Sequence, residues 1–358
     1  MKTHIFAGGL DATFKARILP LAEVLQKYNI ECKVIPPIAW HSIAKSKLGN
    51  VLSVVLTHPL EEYISVLSGS PDVAIVGRIS TPQMYLLLRF LKRKGVKIIF
   101  DLDDALFLRT GKIFGLTVRP GSFFLEKIVK YSDAVTVNGH YLLEYVRCFN
   151  KNVALIHDPI DTEFFSPKTR NNCGNVTIGW EGVPCHHYEN LGLLKEPLMK
   201  LAKKYDVRFK IVSYLGDSRV KKMFSELEEL MDIDYGSKRW VSMNKLPELL
   251  SDFDIMVAPL QKTSWYEGKS ALRVGLGMAM GIPVVASPVG EQKYIVKHGV
   301  NGFLAKNEEE WYHYLKLLIE DDKLRREIGQ KGRETADKEL SLDICGKKLF
   351  SILEALSN

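Results

Sequence analysis

Cysteine is scarce and irregular in this chain of 358 residues: Cys32, Cys148, Cys173, Cys185 and Cys345 are odd in number, widely spaced and nowhere arranged as CxxC. A disulfide framework or a zinc knuckle is therefore not expected, and a reducing compartment fits best. Long apolar runs are missing too. No stretch approaches the roughly 18 apolar residues that a membrane span needs, and the apolar start before Gly8-Gly9 is too short for a signal-peptide core. The 26 Gly and 15 Pro follow no period, which sets aside collagen-like and low-complexity classes. GxGxxG is absent, so a dinucleotide site has little support, and no Gly-x-Ser-x-Gly offers a nucleophile elbow. His186-His187 lacks metal-ligand spacing and reads as a polar loop.

What is present is ordinary globular material, 46% apolar and 25% charged. At roughly 100–200 residues per domain, the length suggests about two domains, each with its own core. The charge is unevenly placed. Residues 1–170 hold 22 Lys and Arg against 15 Asp and Glu, a net of +7, which leaves 27 of each sign in the remainder. That asymmetry suggests an anionic partner for the first half, whether a membrane surface, a phosphorylated substrate or nucleic acid; a solvated basic surface is the plainer reading.

Short apolar runs alternate with longer helical patterns. Strands are expected at 3–7, 31–36, 72–76, 96–100, 134–137 and 153–156, with helices at 12–28, 82–94, 122–131 and 139–148. The second half repeats the plan with strands at 176–180, 207–213, 254–257 and 283–286. Its helices fit at 190–204, 218–230, 245–251, 270–280 and 308–319. Apolar runs of four to six residues suit a parallel sheet covered on both faces. The alternation predicts two doubly wound α/β domains, joined near 158–175, where Pro159, Pro167, Asn171, Asn172 and Gly174 cluster. Ligands in such sheets bind where strand ends feed helix starts.

Four loops at such ends could carry chemistry. In Thr263-Ser264-Trp265-Tyr266-Glu267-Gly268-Lys269-Ser270-Ala271-Leu272-Arg273, Ser270 is a plausible N-cap, so Lys269 and Arg273 bracket a helix start. Cations there oppose the helix dipole unless an anion joins them; with the free N–H groups they make a diphosphate site. The alternative is that both side chains swing out to solvent. Gly275, Gly277 and Gly281 then suit close packing of this helix on the sheet. Gly8-Gly9-Leu10-Asp11 forms a strand-to-helix turn that either exposes N–H groups to a ligand or only needs flexible torsions. Asp101-Leu102-Asp103-Asp104 ends a strand; an acceptor-hydroxyl contact by Asp103 or Asp104, helix capping and divalent-metal binding are its readings. Residues 105–125 place Phe107, Phe114, Phe123 and Phe124 among Arg109, Lys112 and Arg119 with no acid, a pattern for docking on an anionic bilayer or for burial of the aromatics.

The string Trp265–Arg273, followed by Met278-Ala279-Met280-Gly281-Ile282-Pro283-Val284-Val285-Ala286-Ser287-Pro288-Val289-Gly290, resembles the donor-binding core of retaining GT-B glycosyltransferases, most of all their large family 4. Asn301-Gly302-Phe303-Leu304, Glu310-Trp311, the basic segment Arg325–Arg333, Ile178-Gly179-Trp180-Glu181-Gly182, Phe253-Asp254-Ile255 and Phe100–Phe107 continue the likeness. It covers nearly the whole chain, is specific between 240 and 304, and is looser before 95. The resemblance implies two Rossmann-like doubly wound domains facing a central cleft. Residues 1–165 would be the acceptor side and 166–358 the nucleotide-sugar-binding domain, with its C-terminal helix free to pack back on the first.

Carried onto this sequence, the resemblance implies catalytic roles for Glu267, Lys269 and Arg273, and the reading of the strand end adds Asp104. Gly182, Trp240, Trp265, Gly268, Ser270, Ala271 and Leu272 would bind the donor, and Gly8, Gly9, Asp11 and Asp103 would lie on the acceptor side. Two positions depart from the family pattern: Leu276 stands where a second acid is usual, and Val183 where a basic residue follows Gly182. The implied activity is transfer of a hexose, with retention, from a nucleoside diphosphate sugar to a hydroxyl of a glycan or lipid-linked glycan. No cofactor and no metal are expected, because protein cations meet the leaving diphosphate. The partners are then the donor, the acceptor and an anionic membrane surface, without nucleic acid, in the cytoplasm or on the cytoplasmic face of a membrane. A sugar-nucleotide epimerase on the same fold and an inactive sugar-nucleotide-binding or scaffold protein stay open, the second prompted by Leu276 and Val183.

Overall fold

The computed structural model describes residues 1–7, 17–35, 69–78, 80–108, 111–113, 116–118, 120–167, 175–239 and 241–357. They form two compact units, one of Met1–Pro159, Gly268–Ser270 and Leu342–Asn358, the other of Ile160–Glu267 and Ala271–Ser341.

The first unit is a parallel sheet covered by helices. In chain order its elements are β1 (Lys2–Ala7), α1 (Leu19–Gln26), β2 (Glu31–Ile35), β3 (Val73–Gly77), α2 (Pro82–Arg93), β4 (Lys97–Leu102), a small antiparallel hairpin of β5 (Gly111–Ile113) and β6 (Leu116–Val118), α3 (Pro120–Tyr131), β7 (Ala134–Val137), α4 (His140–Arg147) and β8 (Val153–Leu155). The strand order is β2-β1-β3-β4-β7-β8, every pair parallel. Alternation along the strands divides the core. Phe6, Val76, Ile98, Phe100 and Val135 point to one face, where α2, α3 and α4 bury Leu87, Leu88, Leu91, Leu125, Ile128, Leu142 and Val146. Ile5, Ile75 and Ile99 point to the other, where α1 brings Leu21 and Leu25 and the helix Leu342–Ser357 brings Leu349 and Leu353. Each such side chain, fully buried, contributes about 1.5–3 kcal/mol. The sequence also dictates where α2 starts and stops. Thr81 accepts from Met84 N, Pro82 occupies the first turn, and Lys92 and Arg93 sit at the C-terminal end, where the dipole favours cations.

The second unit repeats the plan with β9 (Val176–Glu181), α5 (Pro184–Gly192), α6 (Lys195–Ala202), β10 (Val207–Val212), α7 (Ser218–Met223), β11 (Asp232–Asp234), α8 (Leu246–Leu250), β12 (Ile255–Ala258), α9 (Ser264–Glu267), α10 (Leu272–Ala279), β13 (Val284–Ala286), α11 (Gln292–Ile295), β14 (Phe303–Leu304), α12 (Glu308–Glu320) and α13 (Asp322–Thr335). Its order is β11-β10-β9-β12-β13-β14, again all parallel. Both units are thus Rossmann-like, as expected. In each sheet the winding reverses beside the first strand, between β1 and β3 and between β9 and β12. Those reversals open crevices at the carboxyl ends of the strands.

Three expectations need correction. The helix expected at 190–204 is two helices, α5 and α6, with Leu193 and Leu194 between them and Leu194 fully buried. His186 and His187 lie in α5 and not in a loop, and the helix kinks at His187, with φ −128° and ψ 17°. Phe107 is a core residue: it is buried and stacks on Tyr145 at 3.7 Å. Its expected place on a docking loop is thereby excluded, while Arg109, Phe114 and Arg119 and the Lys112 side chain lie outside the described residues. No described helix is long and apolar enough to cross a membrane.

Candidate functional site

The winding reversal of the second unit gathers the loops after β9 and β12 and the start of α10. β9 ends in Trp180-Glu181, and Gly182 follows it. Trp180 is fully buried, and Gly182 takes φ +148°, a backbone that residues with a Cβ rarely adopt. From the first turn of α10, Arg273 reaches back and its Nε donates to the Glu181 carbonyl. Its guanidinium lies 5.0 Å from the Trp180 ring centroid, within cation–π range. A Cβ at Gly182 would stand 2.5 Å from Arg273 Nη2 and 2.9 Å from the indole. Glycine is required here because the arginine and the tryptophan close around it. Burial pulls the Arg273 guanidinium below its ordinary value, with Glu181 opposing, and burial pushes the Glu181 carboxyl up, with Arg273 opposing. This is a cation held, partly desolvated, beside a helix start.

Aromatic contacts extend the wall. His187 lies edge-on to Trp180 at 5.9 Å and stacks on Tyr266 at 6.2 Å, while Tyr266 OH donates to the His186 carbonyl at 3.4 Å. Asn190 contacts His187 Nδ1 at 2.9 Å and accepts from Gln261 N at 2.8 Å, which ties α5 to the loop after β12. Beyond β12, β13 and β14 opens a cavity of about 910 Å³, lined among others by Leu260, Gln261, Ser287, Val289, Asn307 and Trp311. Asn307 caps α12 by accepting from Glu310 N, and Glu308, Glu309 and Glu310 fill its first turn. The N-terminal end of that helix is therefore already supplied with negative charge, and Lys262, Lys306, Glu308 and Glu309 also line the cavity.

Glu267 ends α9, where its carboxylate accepts from Lys293 Nζ at 2.7 Å and from Gly290 N at 3.4 Å. Trp265 is half-buried on the same short helix. Ser270 is not a cap: α10 begins at Leu272, and Ala271, with no side-chain acceptor, holds the N-cap position. Its first-turn N–H groups consequently lack a side-chain cap. Of the three glycines, Gly275 and Gly277 give close packing, since a Cβ at Gly277 would meet Met256 Sδ at 2.7 Å and Val284 Cγ2 at 2.8 Å. Gly281 instead ends the helix at φ +67°, with Ile282 N bonded back to Gly277 O at 2.9 Å. Leu276 is buried in the apolar core, so this position accepts no ligand hydroxyl.

In the first unit, the carboxylates at the end of β4 and just beyond it are held by cations from three separate stretches of chain. Asp101 takes a two-pronged contact from buried Arg17, at 2.9 Å and 2.8 Å, and a bond from Thr136 at 2.5 Å. Burial alone would lower Arg17, but the charge and hydrogen bonds of Asp101, with Asp158 and Asp103, outweigh it and hold the guanidinium above its ordinary value. Asp104 receives Arg78 Nη2 at 2.8 Å on one oxygen and Lys269 Nζ at 2.7 Å on the other. Arg78 also approaches Asp103 Oδ2 at 3.5 Å and itself adopts φ +61°, a conformation uncommon for a residue with a Cβ. Asp103 is 5% exposed, and its Oδ1 has no hydrogen-bond partner among the described residues. Burial pushes this carboxyl up to about 7; Arg78 opposes, and Asp104, Asp101 and Asp158 add to the rise. Among the described residues no three His, Cys, Asp or Glu side chains are grouped to hold a metal ion.

Lys269 and Asp104 thus meet, while Glu267 and Arg273 belong to the second unit. Gly8, Gly9, Asp11 and Trp240 lie outside the described residues. Sequence reasoning missed Arg78, Lys293 and the cavity. Arg78 directly follows a strand end, a signal that was available; Lys293 and the cavity depend on loops far apart in sequence.

Residues 176–321 match the family model described as glycosyl transferases group 1. An uncharacterized glycosyltransferase of Methanocaldococcus jannaschii is 27% identical over 247 residues, which are 66% of this chain and 64% of that protein. The sucrose-phosphate synthase of Thermosynechococcus elongatus superposes with a TM-score of 0.75 over 99% of both chains at 14% identity. The Anabaena protein HepE, solved in complex with UDP-glucose, gives 0.68 over 99% of this chain and 100% of its own, at 13% identity.

Proposed function

We propose, from the match of residues 176–321 to the glycosyl transferases group 1 model and from the GT-B fold of the chain, that the protein moves a hexose, with retention, from a nucleoside diphosphate sugar to a hydroxyl of a glycan or lipid-linked glycan. The observation that carries the reading is Arg273, a partly desolvated guanidinium stacked on Trp180 beside the uncapped start of α10. That arrangement suits the charge that grows on a departing diphosphate, and preorganised groups of this kind often supply the largest catalytic term. Lys269 adds an ammonium once the diphosphate replaces Asp104 as its partner. Glu267, oriented by Lys293 and Gly290, accepts from donor-sugar hydroxyls. The nucleoside occupies the cavity lined by Leu260, Ser287, Val289 and Trp311, where apolar surface suits a base and Lys262, Lys306, Glu308 and Glu309 add charged groups to the wall. Gly182, Trp265, Gly268, Ser270, Ala271 and Leu272 shape the donor's surroundings. Asp104 and Asp103 serve the acceptor hydroxyl, and the reaction runs without a metal.

A thermal-shift screen with UDP, GDP, ADP and their sugars tests the donor half, since a ligand bound only by the native state raises its apparent stability. Product analysis with and without acceptor tests the transfer. One nucleotide should raise the melting temperature of the parent and not that of Arg273→Ala. Conversion of the donor alone into its epimer would replace transfer with epimerisation, and binding without turnover would leave only a sugar-nucleotide-binding protein.

A further inference from the structure

The inner sides of α2 and α3 are spent on the core, but their outer sides carry more than a solvated face needs. Leu86 on α2 is 56% exposed and Phe123 on α3 is 57% exposed. The two helices touch, because Tyr85 meets Tyr131 edge-on at 5.8 Å. Lys127 joins the two exposed apolar positions, lying 3.9 Å from the Phe123 ring centroid and 5.9 Å from that of Tyr85, the neighbour of Leu86. Helical spacing repeats the pairing. Arg89 and Arg93 follow Leu86 by three and seven residues, and Lys127 and Lys130 follow Phe123 by four and seven. None of these four cations has a carboxylate within ion-pair distance among the described residues, whereas Lys92, behind them, is tied to Asp133 at 3.2 Å.

We propose that this outer face of α2 and α3 docks on an anionic lipid bilayer, with Leu86 and Phe123 entering the headgroup boundary and Arg89, Arg93, Lys127 and Lys130 meeting lipid phosphates. Charge complementarity favours that occupant, because the net +7 of the whole chain is confined to its first 170 residues. The two projecting apolar side chains favour lipid over nucleic acid, since Leu86 offers no ring on which a base could stack. The face thereby takes over the role that the sequence suggested for the loop containing Phe107. The proposal requires no step of the transferase reading, and its test measures no turnover.

The full chain is floated with vesicles of phosphatidylcholine, alone or mixed with phosphatidylglycerol, over a salt series. It should float with the anionic vesicles, remain free with the neutral ones, and detach as salt screens the charges. Each cation near such a surface is worth about fivefold in partitioning. Lys127→Glu/Lys130→Glu should therefore float at least tenfold less, and Leu86→Ser/Phe123→Ser should also lose binding. All four positions are at least partly exposed, so melting temperatures should stay near the parent's; Lys127→Gln/Lys130→Gln substitutes if charge reversal unfolds the chain. Lys221→Glu/Lys222→Glu, on exposed α7, should float as the parent does. Flotation with neither vesicle, equal flotation with both, face variants that float normally, or a control that loses binding equally would overturn the proposal. So would binding to an oligonucleotide with none to vesicles.

Discussion

Gly182→Ala is a severe probe of the site, because one added methyl group meets three constraints together. The φ of +148° disfavours any Cβ, and the new atom would stand 2.5 Å from Arg273 Nη2 and 2.9 Å from the Trp180 ring. A sparsely populated backbone costs about 1–3 kcal/mol. Overpacking against the fully buried indole costs about 1–3 kcal/mol more. At about 2–4 °C per kcal/mol for a unit of this size, the second unit should melt roughly 5–20 °C earlier. The nucleotide-induced thermal shift should also shrink, because the guanidinium has to leave its place over Trp180. The double variant Gly182→Ala/Arg273→Ala separates the causes. Truncating Arg273 removes the Nη2 contact, so it should cost less stability in the alanine background than in the parent, a coupling of about 0.5–3 kcal/mol. Thermal unfolding of the four proteins, with and without nucleotide, gives both numbers. If Gly182→Ala melts like the parent and keeps its ligand shift, the close packing around Arg273 is not what the site depends on.

Lys269→Ala and Arg273→Ala combined should lower turnover at saturating donor by at least about 100-fold, the scale of losing one preorganised donor to a developing oxyanion; unchanged turnover would reject the leaving-group role. Asp103 carries a pH signature. A carboxyl raised to about 7 in the folded protein binds its proton more tightly there than when unfolded, so it favours folding at low pH and loses that contribution as pH rises from about 4 through 7. Asp103→Asn should therefore gain stability over the parent as pH climbs through this range, by denaturant midpoint. The comparison with the parent matters because His157, pushed down to about 4 by burial and Lys348, contributes the opposite slope between about 4 and 6.5. A difference independent of pH would mean that Asp103 is not raised. Chelation with EDTA should leave transfer intact, and its abolition with recovery on adding Mg²⁺ or Mn²⁺ would assign the Asp101–Asp104 carboxylates to a metal.

The fold was legible because fully buried parallel strands are the most conspicuous signal a sequence offers. Runs such as Val73–Gly77 and Ile255–Ala258 are apolar throughout, since helices cover both faces. Elements that escaped notice lack that signal. Asp232–Asp234 is an edge strand with two acids in three residues, and Phe303–Leu304 is two residues long. Neither buries enough to impose a period. The start of α10 misled for a different reason. Ser270 is a favoured cap by type, but the helix begins two residues later at Leu272, whose neighbour Arg273 reaches back to Glu181. A tertiary contact prevailed over a local preference.

The same reasoning explains why the site was half visible. Glycines and cations around 268–273 stand out because they contradict local stability: they weaken a helix or oppose its dipole, and a sequence that tolerates them needs a tertiary reason. Gly182 is of that kind, and its reason is now physical, the room needed by Arg273 over Trp180. Asp103 is a second example, a carboxyl placed where burial penalises its charge and one oxygen lacks a partner among the described residues. Lys293 and Gln261 escaped because they violate nothing locally. An exposed lysine in a short helix and a glutamine after a strand are unremarked until folding brings them to Glu267 and Asn190. What a sequence announces are its local penalties; groups that serve a site at no local cost become visible only in three dimensions.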